Sequence, residues 1–158
     1  MSSNSNTYVL DSNVFVGYVR DAAYSRYIDQ EYDPLGGNNI ALISVVTKGE
    51  LQSLAYQFDW GKQKKSALQR LLNSVNAVPV QSMDIIDRYA EIDAFSQNKL
   101  PDRPLGNSDR NMGKNDVWIA ATASVINATL LTTDADFDHL HDEFLSRVYI
   151  DPGEEYNL

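Results

Sequence analysis

Four short stretches of the sequence each carry an acid at a comparable place: Y-V-L-D-S-N with Asp11, T-K-G-E-L with Glu50, K-N-D-V-W-I-A-A with Asp116, and L-L-T-T-D-A-D-F with Asp134. Taken singly, each has an ordinary explanation. Asp11 in D-x-N suits a turn, Glu50 suits a solvated helix, Asp116 complements a helix dipole in a first turn, and Asp134 suits an N-cap. Those explanations leave out the shared placement, because each acid falls at the end of a strand-like run or in the first turns of the helix after one. Gathered on one spot, four carboxylates raise one another's pKa and hold protons unless a cation lies among them. All-oxygen donors without cysteine favour a hard ion, Mg²⁺ or Mn²⁺, over zinc. One or two such ions suit phosphodiester hydrolysis, by activating a water for in-line attack and neutralising charge on the transferring phosphorus.

The elements that must bring these acids together are legible as an alternation of strands and helices. Short apolar or β-branched runs at 8–10, 40–44, 78–80, 130–132 and 148–150 read as strands. Between them, helical periodicity covers 14–30 with a break near Asp21, then 45–58, 63–75, 83–97, 116–126 and a short turn at 135–140. Ser44, Asn115 and Asp134 stand as N-caps. The alternation predicts an α/β fold with a parallel sheet of about five strands and helices on both faces. In such sheets ligands bind beyond the carboxyl ends of the strands, beside the point where strand order reverses. Residues 98–114, rich in Pro, Gly, Asn and Asp, exceed an ordinary connection and read as a functional or poorly ordered loop.

With 158 residues the chain is expected to form one domain over 7–152, with a disordered tail at 1–6 and a second tail at 153–158. Absence of cysteine removes disulfides, thiolate metal sites and cysteine nucleophiles. It also suits a reducing cytoplasm. No apolar run approaches the roughly 20 residues of a spanning helix, so no membrane partner is expected. The net charge of −9 argues at first against nucleic acid. That charge is unevenly spread: residues 48–75 carry five basic and two acidic side chains, 98–114 four and two, and 115–158 nine acids against Arg147. The acids concentrate where a cation would be welcome.

The four motifs, in this order and spacing, resemble the PIN-domain ribonucleases, and among them the VapC-type toxins of type II toxin–antitoxin pairs; the likeness runs over roughly residues 7–152. The resemblance implies a three-layer α/β/α fold and a metal-dependent endoribonuclease that leaves 5′-phosphate and 3′-hydroxyl ends. Asp11, Glu50, Asp116 and Asp134 fall on the family's acidic quartet, and Asp136 on a frequent fifth acid. Asp11 and Asp116 are then the first metal contacts, with Glu50 and Asp134 acting directly or through water. Asn13, Asn115 and Thr133 fit supporting polar positions. A homodimer and a small antitoxin whose tail enters the acidic groove complete the implied assembly.

An RNA backbone needs cations. Arg103, Arg110 and Lys114 lie on the long loop leading into Asp116, whereas Lys62, Lys64, Lys65 and Arg70 read first as the solvated start of a helix. Trp118 reads as a packing residue, and His139 and His141 as structural or surface residues outside catalysis. Two other functions are compatible with an acid after the first strand. An aspartate-nucleophile phosphatase would want a second acid two residues on, where this chain has Asn13. A non-catalytic interaction module would have no need of all four acids.

Overall fold

The computed structural model describes residues 4–106 and 108–158. Its chain order is β1 (Thr7–Leu10), α1 (Ser12–Val19), α2 (Ala23–Glu31), β2 (Ile40–Ser44), α3 (Val45–Gln57), α4 (Lys62–Asn73), β3 (Asn76–Val78), α5 (Met83–Ser96), α6 (Lys114–Val125), β4 (Thr129–Thr132), a 3-10 helix (Ala135–Leu140) and β5 (Ser146–Tyr149). The strands form one sheet in the order β3-β2-β1-β4-β5, and every pairing is parallel. Strand order therefore reverses between β1 and β4. Parallel crossovers are right-handed, so the reversal puts the early helices on one face and the later ones on the other.

The core follows that division. Tyr8, Leu10, Ala41, Ile43 and Leu131 pack against Phe15, Ile28, Leu51 and Leu72 of α1 to α4. Val9 and Leu130, on the opposite face, pack against Ile92, Ile119, Ala120, Ala123 and Phe137. Strand side chains alternate between faces, so Asp11 follows Val9 and Thr132 follows Leu130 towards the α6 side. This three-layer α/β/α arrangement is the expected fold class.

Several boundaries differ from the sequence expectation. The third strand lies at Asn76–Val78 and not at 78–80. Pro79 has no N–H to give to a ladder, so pairing with β2 is made by the residues before it. The last strand begins earlier, at Ser146, and its ladder continues through the hydrogen bond from Ile150 N–H to the Thr132 carbonyl (2.8 Å). Helix α6 opens at Lys114 with Gly113 in the cap position, which places Asn115 inside the first turn and corrects its expected N-cap role. Ser44 and Asp134 do cap, Ser44 by accepting from Val46 N–H and Asp134 from Asp136 N–H. The break near Asp21 is a left-handed residue (φ 53°) separating α1 from α2.

Residues 1–3 of the expected N-terminal tail lie outside the described residues, whereas Asn6 bonds to the Asn39 side chain and to Ile40 N–H. In the C-terminal segment Tyr156 stacks on Tyr27 with ring centres 4.3 Å apart. Among the described residues, no helix is long and apolar enough to cross a membrane.

Candidate functional site

The reversal point holds the acids. Asp11 follows β1 directly and is 2% exposed. A buried carboxylate needs donors, and Asp11 has them on both oxygens. Oδ1 accepts from the Ser12 N–H at 2.7 Å, and Oδ2 accepts from the Thr132 hydroxyl at 2.7 Å across the β1–β4 seam. Thr132 Oγ1 in turn accepts from Asp134 N–H at 3.0 Å, and Asp134 Oδ1 accepts from Asp136 N–H at 2.9 Å. A single run of hydrogen bonds thus links Asp136, Asp134, Thr132 and Asp11.

Helix α6 delivers Asp116 to the same place. Its buried residues Ala120, Ala121 and Ala123 are small, which lets the helix lie close on the sheet, with Asp116 in its first turn over the strand ends. Carboxylate oxygens of Asp116, Asp134 and Asp136 come within 4.8 Å of one another. Glu50 approaches from α3, whose buried residues Thr47, Leu51 and Ala55 fix the helix on the sheet. It lines an open groove with Val46, Ser53, Leu54 and Asn115. One carboxylate oxygen of Glu50, Oε1, is buried without a hydrogen-bond partner.

The electrostatics agree with crowding. Burial, then the charges of Asp11, Asp134, Glu50 and Asp136, push the Asp116 carboxyl up to about 7. Burial also raises Asp11, with Asp134 adding to it, while hydrogen bonds from Thr132 and Ser12 pull the other way. Glu50 is raised by burial and by Asp11, with the Asn115 side chain opposing. Among the described residues no lysine or arginine forms a salt bridge with any of these five acids. An all-oxygen set with an unpartnered buried oxygen and no counter-charge is what a hard divalent cation requires, and the residues fit one.

The five expected acids are therefore assembled at one sheet edge, but of their three expected supports only Asn115 stands against one of them. Thr132, not Thr133, holds Asp11 and Asp134. Ser12 contacts Asp11 through its N–H and, at 3.4 Å, its hydroxyl. Asn13 is exposed, and among the described residues no side-chain hydrogen bond joins it to Asp11; its carbonyl accepts from the Tyr24 hydroxyl instead. Asn115 sits beside Glu50. The strand alternation that places Thr132 on Asp11's face was available in the sequence, but the register that decides between adjacent threonines was not.

Of the basic candidates, Arg103 is engaged by Glu143 (3.1 Å) and lies over the Phe144 ring. Arg110 and Lys114 are exposed, and among the described residues neither forms a salt bridge. Lys65, on α4, lies over the ring of Tyr56 on α3. Trp118 packs against Tyr89 with ring centres 4.2 Å apart. His139 stacks on Phe95 and meets the Ser96 hydroxyl at 2.7 Å, and His141 Nδ1 accepts from Arg147 N–H.

A parallel sheet with carboxylates gathered at its switch point defines an α/β/α protein with an acidic edge. The chain belongs to the PIN-domain family, whose profile matches residues 8–143. No curated protein matches the sequence. Among solved structures it is similar to VapBC2 from Rickettsia felis bound to a promoter DNA fragment, with 25% identity over 92% of this chain and 99% of that one and a TM-score of 0.70. VapBC-1 from nontypeable Haemophilus influenzae shares the fold at 24% identity, over 90% and 97% of the two chains, TM-score 0.65. FitAcB from Neisseria gonorrhoeae does so at 20%, over 92% and 97%, TM-score 0.64. The fold is that of a VapC-like PIN domain.

Proposed function

We propose that this chain is a metal-dependent endoribonuclease and the toxin of a toxin–antitoxin pair. The observation that carries the reading is the convergence of Asp11, Glu50, Asp116, Asp134 and Asp136 on one sheet edge with, among the described residues, no lysine or arginine in a salt bridge with them. When bound, one or two Mg²⁺ or Mn²⁺ ions would supply an activated water and neutralise charge on the scissile phosphate. Asp116, Asp134 and Asp136 would hold the ion through their clustered oxygens. Asp11 would complete the set from beneath, its orientation fixed by Thr132 and Ser12, and the free oxygen of Glu50 would take an ion or a bound water. Asp116 would surrender its proton on binding. Arg110 and Lys114, uncommitted and leading into α6, would hold the RNA backbone, while Arg103 must first leave Glu143.

Solved structures of the same fold include ones described as toxin–antitoxin complexes, which supports a small antitoxin as the partner. A homodimer and a cytoplasmic location belong to the same reading. The test is incubation of end-labelled RNA with the protein and Mg²⁺ or Mn²⁺, beside Asp116→Asn. Cleavage by the unaltered protein with metal, giving 5′-phosphate ends and absent in the variant, is the expected result. No cleavage of any RNA with either metal would favour a non-catalytic PIN module.

A further inference from the structure

Residues 97–113, between α5 and α6, are longer than most connections and are tied to the body at several points. Lys99 N–H bonds to the Ala94 carbonyl at 2.8 Å, and within the connection itself Leu105 N–H bonds to the Asn98 side chain at 2.9 Å. Arg103 is held over Phe144 and beside Glu143. The remaining ties meet at Ser96, which is 1% exposed. Its carbonyl accepts from Arg110 N–H at 2.6 Å, and its hydroxyl lies 3.4 Å from Met112 Sδ and 2.7 Å from His139 Nε2. His139 belongs to the 3-10 helix that carries Asp136, and its ring is stacked on Phe95 at 6.2 Å and 6°. One buried serine therefore joins the end of this strap to the element bearing the acids.

The two arginines of the strap differ. Arg103 already serves Glu143, whereas Arg110 is exposed and forms no salt bridge among the described residues. Its backbone is held by the serine whose hydroxyl meets His139, on the 3-10 helix that carries Asp136, so Arg110 stands beside the element bearing the acids. An acidic edge repels a polyanion, so a substrate phosphate outside the metal-binding carboxylates needs a fixed cation, and a guanidinium fork suits it.

We propose that Ser96 and His139 are positioning residues that pin Arg110 at the rim of the acidic site, where its guanidinium grips a phosphate of bound RNA away from the cleaved bond. The proposal rests on RNA being the ligand of this site. A loop hung only from its ends would leave Arg110 to search many positions; the Ser96 carbonyl fixes its backbone, and the Ser96 hydroxyl, held by His139, meets Met112 two residues on, which narrows that search before RNA arrives.

The test is binding of a fluorescent single-stranded RNA, by anisotropy at several salt concentrations, with each variant built on catalytically blocked Asp116→Asn. Arg110→Ala should weaken binding roughly three- to tenfold and lower the salt slope by about one. Ser96→Ala and His139→Phe, the second keeping a ring on Phe95, should give most of the same loss and the same change of slope. The double variant Ser96→Ala with Arg110→Ala should bind no more weakly than Arg110→Ala alone. His139→Gln, which returns a polar group near the Nε2 position, should restore much of the affinity. Full additivity in the double variant, or unchanged binding and slope in both Ser96→Ala and His139→Phe, overturns the proposal. Should Ser96→Ala fail to fold, His139→Phe and its double variant with Arg110→Ala carry the same comparison. Cleavage by the unaltered protein without this coupling would sink the strap and keep the ribonuclease. Arg110-dependent binding without cleavage would do the reverse, and no RNA affinity at all overturns both.

Discussion

At Asp116 two influences oppose each other. A first-turn position on α6 favours the ionised carboxylate, while burial and the charges of Asp11, Asp134, Glu50 and Asp136 favour the proton and win, carrying the group from an ordinary 3.8 to about 7. A carboxyl raised in the folded state binds more protons folded than unfolded between those values, so stability falls as pH rises through that window. Glu50 and Asp11 are shifted in the same direction. The metal-free protein should therefore melt at a lower temperature at pH 8 than at pH 5, and saturating Mn²⁺ should remove most of that fall. Melting that rises with pH in the metal-free protein would show the acids to be compensated by something else. Thr132 allows a second prediction. Thr132→Val keeps the shape but leaves Asp11 Oδ2 and Asp134 N–H without their partner; chemical denaturation should show a loss of about 1–3 kcal/mol, and metal affinity should drop at least tenfold. The acids themselves were legible in the sequence, because strand-end position and residue type both pointed to them. Their supports were not: T-T and S-N are adjacent pairs, and a shift of one residue moves a side chain to the other face.

Among the elements, β1, β2 and β4 were readable from their apolar runs, and they are the strands whose ends surround the site. The two edge strands were misjudged by about two residues each, β3 because its pairing stops before Pro79 and β5 because polar Ser146 and Arg147 take part in the ladder. Neither error moves an acid. The start of α6 mattered more, since placing the cap at Gly113 instead of Asn115 turns the Asn115 side chain from a backbone cap into a neighbour of Glu50. Close seating of α6 depends on its alanines, and Ala120 is fully buried against the sheet side. Ala120→Leu should overpack that contact and cost about 1–3 kcal/mol. Because Asp116 rides on the same helix, the variant should also lose metal affinity, measured by calorimetry under conditions where it remains folded. An Ala120→Leu protein with lowered stability and unchanged metal binding would mean that α6 position and site geometry are independent.

For the molecule as a whole, the charge distribution and the topology tell the same story. The negative balance of −9 is concentrated in the C-terminal third, and the reversal between β1 and β4 folds acids from that third onto Asp11 from the first strand. Two half-cores pack on opposite faces of the sheet beneath them. The central claim is that these carboxylates form a cation site which keeps a proton while it waits. Calorimetric titration of Mn²⁺ at pH 6.5, repeated in buffers of different ionisation enthalpy, measures both binding and proton release. The unaltered protein should bind and release roughly one proton per first ion, given an Asp116 value of about 7, and Asp116→Asn should bind more weakly with little proton release. Absence of Mn²⁺ binding, or binding with no proton released by the unaltered protein, would contradict the account.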